Sequence, residues 1–114
     1  MTPEQFFIAY LNNNLDGVQA FGEEPQPAPD YFVTVEQVGG GEENHITRAD
    51  LAVQSWAPTR AEAAELNRTV IEIMKNAVEE SAISKCHFDT TYNFTDTTKK
   101  RPRYQAVFEV VFSF

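Results

Sequence analysis

Three stretches of the chain hold residues whose chemistry could define a function. The first is "VTVEQVGGGEENHITRADLAV", Val33 to Val53, in which Gly39, Gly40 and Gly41 run into Glu42 and Glu43. A phosphate cradle aims backbone N–H groups at an anion, usually from a helix N-terminus and often with a lysine. Here two glutamates would repel phosphate, and a β-like segment follows. The run therefore reads as the bend of a hairpin, an acidic tip over Gly39–Asn44 that joins two strands.

The second stretch places Cys86 beside His87, with Asp89 close by. A thiol and an imidazole could form a nucleophile–base pair, but neighbours in a strand point to opposite faces. The expected arrangement is a small buried cysteine with an exposed histidine. The only other histidine is His45, and no spacing joins the two into a metal site. The carboxylates of "GEEP" and "GGGEEN" lie in loops and read as solvated charge. No catalytic, cofactor or metal residue is expected, so the chain reads as a non-enzyme.

The third stretch is "KKRPR", with Lys99, Lys100, Arg101 and Arg103. Clustered bases can contact phosphate, or they can guard the edge of a sheet. The distribution of charge suggests a further role. The net charge is −8; residues 1–50 hold nine acids against Arg48 alone, while residues 51–114 hold eight acids and eight bases. The acidic loops of one copy could face the basic loop of another. An acidic surface disfavours a DNA-reading module.

The elements that must position these stretches are legible in part. "TPEQFFIAYLNNNL" reads as a helix over 2–15, with Thr2 as N-cap, Pro3 at the first turn and Phe7, Leu11 and Leu15 on one stripe. "GEEPQPAPD" holds Pro25, Pro27 and Pro29 and reads as an extended loop over 22–30. "YFVTVEQV" and "HITRADLAVQSWA" read as the strands of a hairpin over 31–57. Ala49, Leu51 and Val53 share one face of the second strand. Trp56 falls on the other face with Asp50 and Gln54, which predicts a cover for that end. A capping-box pattern at Thr59 and Glu62 opens a long helix over 59–80, with Ala63, Leu66, Val70, Ile73, Met74 and Ala77 on its apolar stripe. Residues 86–114 read as a second hairpin, with Tyr104, Ala106, Phe108, Val110, Phe112 and Phe114 on one face of its last strand. The order predicts a single α+β domain: an antiparallel or mixed sheet of four to five strands with two helices on one face.

The chain has 114 residues, enough for one domain with a modest core. No run reaches the roughly 18 apolar residues of a membrane span. The N-terminus shows no secretory pattern. A single cysteine rules out an intramolecular disulfide and suggests a reducing compartment.

Residues 31–74 resemble the tail-terminator (tail-completion) proteins of long-tailed bacteriophages, a group that includes minor capsid and neck proteins. The likeness lies in the strand Val33–Val38, the glycines Gly39–Gly41, Asp50, the pair Trp56–Ala57 and the helix start at Arg60–Leu66. The closing "RPRYQAVFEVVF" is similar to the family's final strand, entered through an Arg-Pro-Arg turn. The "GEEPQPAPD" loop carries less of the likeness; the family would place such loops at subunit or tube contacts.

The resemblance implies a ring, a hexamer in this family, that caps the finished tail tube and joins it to the head connector. Its partners would be further copies of itself, the tail-tube protein and the connector, with DNA passing through the lumen unread and no membrane involved. Its place would be the virion, after synthesis in the host cytoplasm. The contact residues implied are Pro25, Pro27, Pro29, Gly39, Gly40, Gly41, Glu42, Glu43, Lys99, Lys100, Arg101 and Arg103. Two alternatives stand beside it: a head-completion adaptor of the same neck, and a small ligand-binding or regulatory α+β module.

Overall fold

The computed structural model describes residues 1–98 and 101–114. In chain order the elements are α1 (Pro3–Asn14), β1 (Gln19–Phe21), β2 (Phe32–Glu43), β3 (Ile46–Trp56), α2 (Arg60–Lys75), a 3-10 turn (Asn76–Glu79), β4 (Ile83–Asn93) and β5 (Arg103–Phe112). The five strands form one sheet in the order β1-β2-β3-β5-β4. β1 runs parallel to β2, and every other pairing is antiparallel. The expected α+β class is the observed one, in its mixed-sheet form.

α1 starts where its chemistry directs. Thr2 accepts from the Gln5 N–H at 3.1 Å, and Gln5 Oε1 accepts from the Thr2 N–H at 2.9 Å. This reciprocal cap satisfies two donors that the first turn would otherwise leave open. Thr59 caps α2 in a related way, accepting from the Glu62 N–H at 3.2 Å while its hydroxyl donates to the Glu62 carboxylate. Loss of such a cap costs about 1 kcal/mol.

Both helices lie on the same face of the sheet. Phe7, Tyr10 and Leu11 of α1 join Val70 and Met74 of α2 over Val33, Val35, Leu51, Val53, Phe108 and Val110. The Tyr10 hydroxyl donates to the Ile73 carbonyl at 2.7 Å and ties the two helices together. Leu66 and Ile73, expected on the stripe of α2, pack at its margin, and buried Asn67 takes a central place instead. Asn67 Nδ2 donates to Thr91 Oγ1 at 2.9 Å, and Thr91 passes the bond on to the Gln105 carbonyl. The Nδ2 end of this buried amide thus has its partner, and the chain of bonds fixes α2 over β4 and β5; Asn67 Oδ1 is buried with no partner among the described residues. Along β5, Ala106, Phe108 and Val110 are buried as the alternation predicts, while Phe114 is half-exposed against Phe6 and Phe112.

One element lies outside the sequence reading, and one reading needs correction. The segment "VQAF" holds a strand, β1, which sequence alone does not reveal: three residues have no periodicity, and their pairing is with a strand that starts eleven residues after Phe21. The glycines, moreover, are not the bend of the first hairpin. They lie inside β2, where Gly39, Gly40 and Gly41 pair with Asp50, Ala49 and Arg48. The bend is Asn44–His45, both at positive φ (52° and 66°), a two-residue turn whose twist suits a hairpin. Asparagine tolerates this conformation because its short polar side chain can bond locally.

Glycine is needed in the arm for a different reason. The register shifts between Gln37 and Gly39, a bulge with Val38 as the extra residue. Gly40 then has φ +151°, and a Cβ there would lie 2.6 Å from the Arg48 carbonyl oxygen; around Gly41 nothing lies within 4 Å of that position. Gly40→Ala should therefore destabilise the fold by more than about 1 kcal/mol, whereas Gly41→Ala should leave it unchanged or stabilise it by up to about 1 kcal/mol. Urea denaturation of the two variants checks this, and equal midpoints would contradict the bulge.

Candidate functional site

The Cys86/His87 pair separates as alternation requires. Cys86 faces the helix-side core, and burial pushes its thiol up to about 12. His87 lies exposed on the opposite face, its Nε2 3.5 Å from Asp89 Oδ1. The thiol is thus held neutral and turned away from the imidazole, which is the reverse of what a nucleophile–base pair needs. His45 sits in the hairpin bend of the arm. Among the described residues no three His, Cys, Asp or Glu side chains gather as a metal site.

Those residues marked for assembly that are described fall at two ends of the sheet. Gly39 to Glu43, paired with Ile46 to Asp50, form an arm; β5 accompanies it only as far as Thr47, opposite Phe112. Glu42, Glu43, Asn44, His45 and Ile46 are all exposed. At the other end Trp56 pairs with Phe32 and Arg103, and the proline-rich loop closes over this end. Its Gln26–Pro27 peptide is cis. Some ten residues of strand separate the two ends, about 33 Å at 3.3 Å per residue, in a molecule whose longest axis is 43 Å.

Lys99 and Lys100 lie outside the described residues. Arg101 and Arg103 do not project from the basic loop; both are folded back onto their own chain. Arg101 stands 5.0 Å over the Phe32 ring and donates to the carbonyls of Pro29 and Asp30. Arg103 lies between Trp56 and Phe94, 4.6 and 4.7 Å from their ring centroids, and donates to the Phe94 carbonyl at 2.8 Å. The two guanidinium groups thus fasten the β4–β5 loop and the proline loop to the helix-free face. A charge-complementary contact between copies has to be made by groups other than these two.

This face also answers the expectation about Trp56. The indole is 3% exposed, stacked on Phe32 at 5.1 Å and covered by Arg103. From it a ladder of polar side chains crosses four strands: Trp56 Nε1 donates to Thr34, Thr34 to Gln54, Gln54 to Gln105 and Gln105 to Tyr92, at 3.3, 3.3, 2.7 and 2.6 Å. Beside it Gly22, Glu23 and Glu24 share a cleft of about 420 Å³ with Thr34, Glu36, Gln54, Trp56 and Arg103. The signal for this row was present in the sequence as the same-face spacing of Gln54 with Trp56 and of Arg103 with Gln105. What sequence could not supply was the register that lines up the four strands.

Further along the same face, Glu109 receives the Lys85 ammonium at 2.7 Å and the Arg48 guanidinium at 3.9 Å. The Lys85 hydrogen bond, more than any other influence, holds the Glu109 carboxyl below its ordinary range. On α2, Glu62 is held low chiefly by the hydrogen bond from Tyr31 and then by that from Thr59.

Two measurements follow. Alkylation of Cys86 at pH 8 should be about a thousandfold slower in the folded chain than in urea, since its pKa rises from 9.0 to about 12; similar rates would contradict the burial. Arg103→Ala should shift the emission of the single tryptophan to the red and lower stability by about 1–2 kcal/mol. An unchanged spectrum would show that the guanidinium does not cover the indole.

No protein-family model matches the chain, and no curated protein matches it.

Proposed function

We propose that the chain is a structural subunit of a long-tailed bacteriophage, the tail terminator, which caps the tail tube and forms the joint with the head. The reading begins from the likeness of residues 31–74 and of the final strand to that family. The observation that carries it further is the placing of the contact loops. The acidic arm Gly39–Glu43 and the proline loop stand at opposite ends of one sheet, about 33 Å apart. A subunit with different surfaces at its two ends suits a joint that must meet one partner above and another below.

The net charge of −8 fits the same role. DNA that passes through a ring must slide past its wall, and excess negative charge discourages tight phosphate contacts. Arg101 and Arg103, the bases nearest to forming a patch, are occupied within the chain. Head completion on the connector side is the second reading, since an adaptor there also meets two partners. The cleft beside Trp56 favours the third, a small ligand-binding module, because apolar and charged groups converge there.

Electron microscopy of particles assembled without the protein separates these readings. Overlong or unjoined tails are the expected result. Heads that leak DNA beside tails of normal length would move the role to the adaptor, and normal virions would overturn both virion roles.

A further inference from the structure

α1 closes the β1–β2 rim of the sheet with its own side chains. Asn12 behaves like one more residue of a strand: its Oδ1 accepts from the Ala20 N–H at 2.7 Å and its Nδ2 donates to the Ala20 carbonyl at 3.3 Å. Further along the rim, Glu4 accepts from the Gln37 N–H at 2.6 Å. Between the end of α1 at Asn14 and the start of β1 at Gln19 run only Leu15 to Val18. The length of this short link decides whether Asn12 reaches Ala20.

Inside the link lies Asp16–Gly17, the one place in the chain where an Asp or Asn precedes a glycine. Such a pair can rearrange without any enzyme. The Gly17 amide nitrogen attacks Cγ of the Asp16 carboxylic acid. The N–Cγ bond forms, and the Cγ–OH bond breaks as water leaves with the amide proton. Water then opens the cyclic imide at one of its two carbonyls. Opening at Cγ restores the original chain. Opening at the main-chain carbonyl of Asp16 leaves the backbone running through Cβ and Cγ, an isoaspartate of unchanged mass. Water is the only co-reactant.

Three observations leave this pair free to close the ring. The Leu15 N–H ends the helix ladder on the Leu11 carbonyl at 2.7 Å, and the Gly17 N–H beyond it has no hydrogen bond among the described residues. Asp16 is exposed, and its carboxylate has no hydrogen bond or ion pair among them either. Gly17 stands at φ +74° with no atom within 4 Å of where a Cβ would lie, so its peptide plane turns without a clash.

We propose that Asp16–Gly17 is a site of spontaneous backbone isomerisation in the folded chain, and that the rearrangement releases Ala20 from Asn12. Isoaspartate adds one backbone atom to the link, about 1.5 Å of chain, and two hydrogen bonds of fixed length depend on that link. The rim then opens at β1, where α1 now blocks the edge. The site belongs to the chain alone and stands apart from what the chain assembles with.

Ageing tests the site. The folded chain, the chain unfolded in guanidinium chloride and the folded Asp16→Glu variant are held at neutral pH and digested. Electron-transfer fragmentation, which separates the two isomers of equal mass, reads the backbone at Asp16. The folded chain should gain isoaspartate within about threefold of the unfolded rate. Asp16→Glu, which must close a larger ring, should gain no isomer in the same time. In the aged chain the Ala20 amide should lose about fivefold or more of its exchange protection, while the amides of β3 paired with β5 keep theirs. A folded chain that rearranges far more slowly than the unfolded one would show that the fold guards the pair, and would overturn the proposal. Isoaspartate formed with Ala20 still fully protected would overturn it as well, by separating the rearrangement from the cap.

Discussion

The backbone hydrogen bonds at the rims of the sheet govern much of what surrounds it. Each buried or half-buried peptide group must find a partner, and an open sheet cannot supply one for its outermost strands. This chain meets the requirement unequally. α1 lies along one rim and lends it Asn12 and Glu4, while the three-residue strand β1 covers Phe32 to Thr34. The helix is thus placed by two demands at once: Phe7 and Leu11 face the core, and polar residues of the same helix finish the edge. At the β4 rim the described residues provide no such cover.

The helix-free face follows a second logic. Aromatic rings exposed on a sheet face would be sticky, and here they are covered by the chain's own arginines. Arg103 over Trp56 and Arg101 over Phe32 shield the rings with planar guanidinium groups that also bind loop carbonyls. The same contacts tie Arg103 to Phe94 and Arg101 to the end of the proline loop at Pro29 and Asp30. Basic charge that could have met DNA or a partner is spent on holding two loops.

Much of this was legible in the residues. Thr2–Pro3 and Thr59 mark helix starts by chemistry that acts within a few residues, and the alternation of β3 and β5 gives their buried faces directly. The opposite pointing of Cys86 and His87 followed from strand geometry alone. Three features were not legible, each for a reason of distance. β1 exists because a proline-rich loop brings it back alongside β2. The bend of the first hairpin moved to Asn44–His45 because the glycines serve a bulge defined by the partner strand, at Asp50 and Arg48. The Thr34–Gln54–Gln105–Tyr92 ladder depends on the register of four strands, which no local pattern encodes. Likewise Asn67 looks like an interruption of an apolar stripe until Thr91 appears opposite it.

The central claim is that α1 finishes the β1–β2 rim of the sheet with its own polar side chains. Hydrogen exchange read residue by residue tests this most directly, on the natural chain and on Asn12→Ala. The expected result is that the Ala20 amide loses protection in Asn12→Ala while the amides of β3 and β5 keep theirs. Equal protection of Ala20 in the two chains would contradict the account.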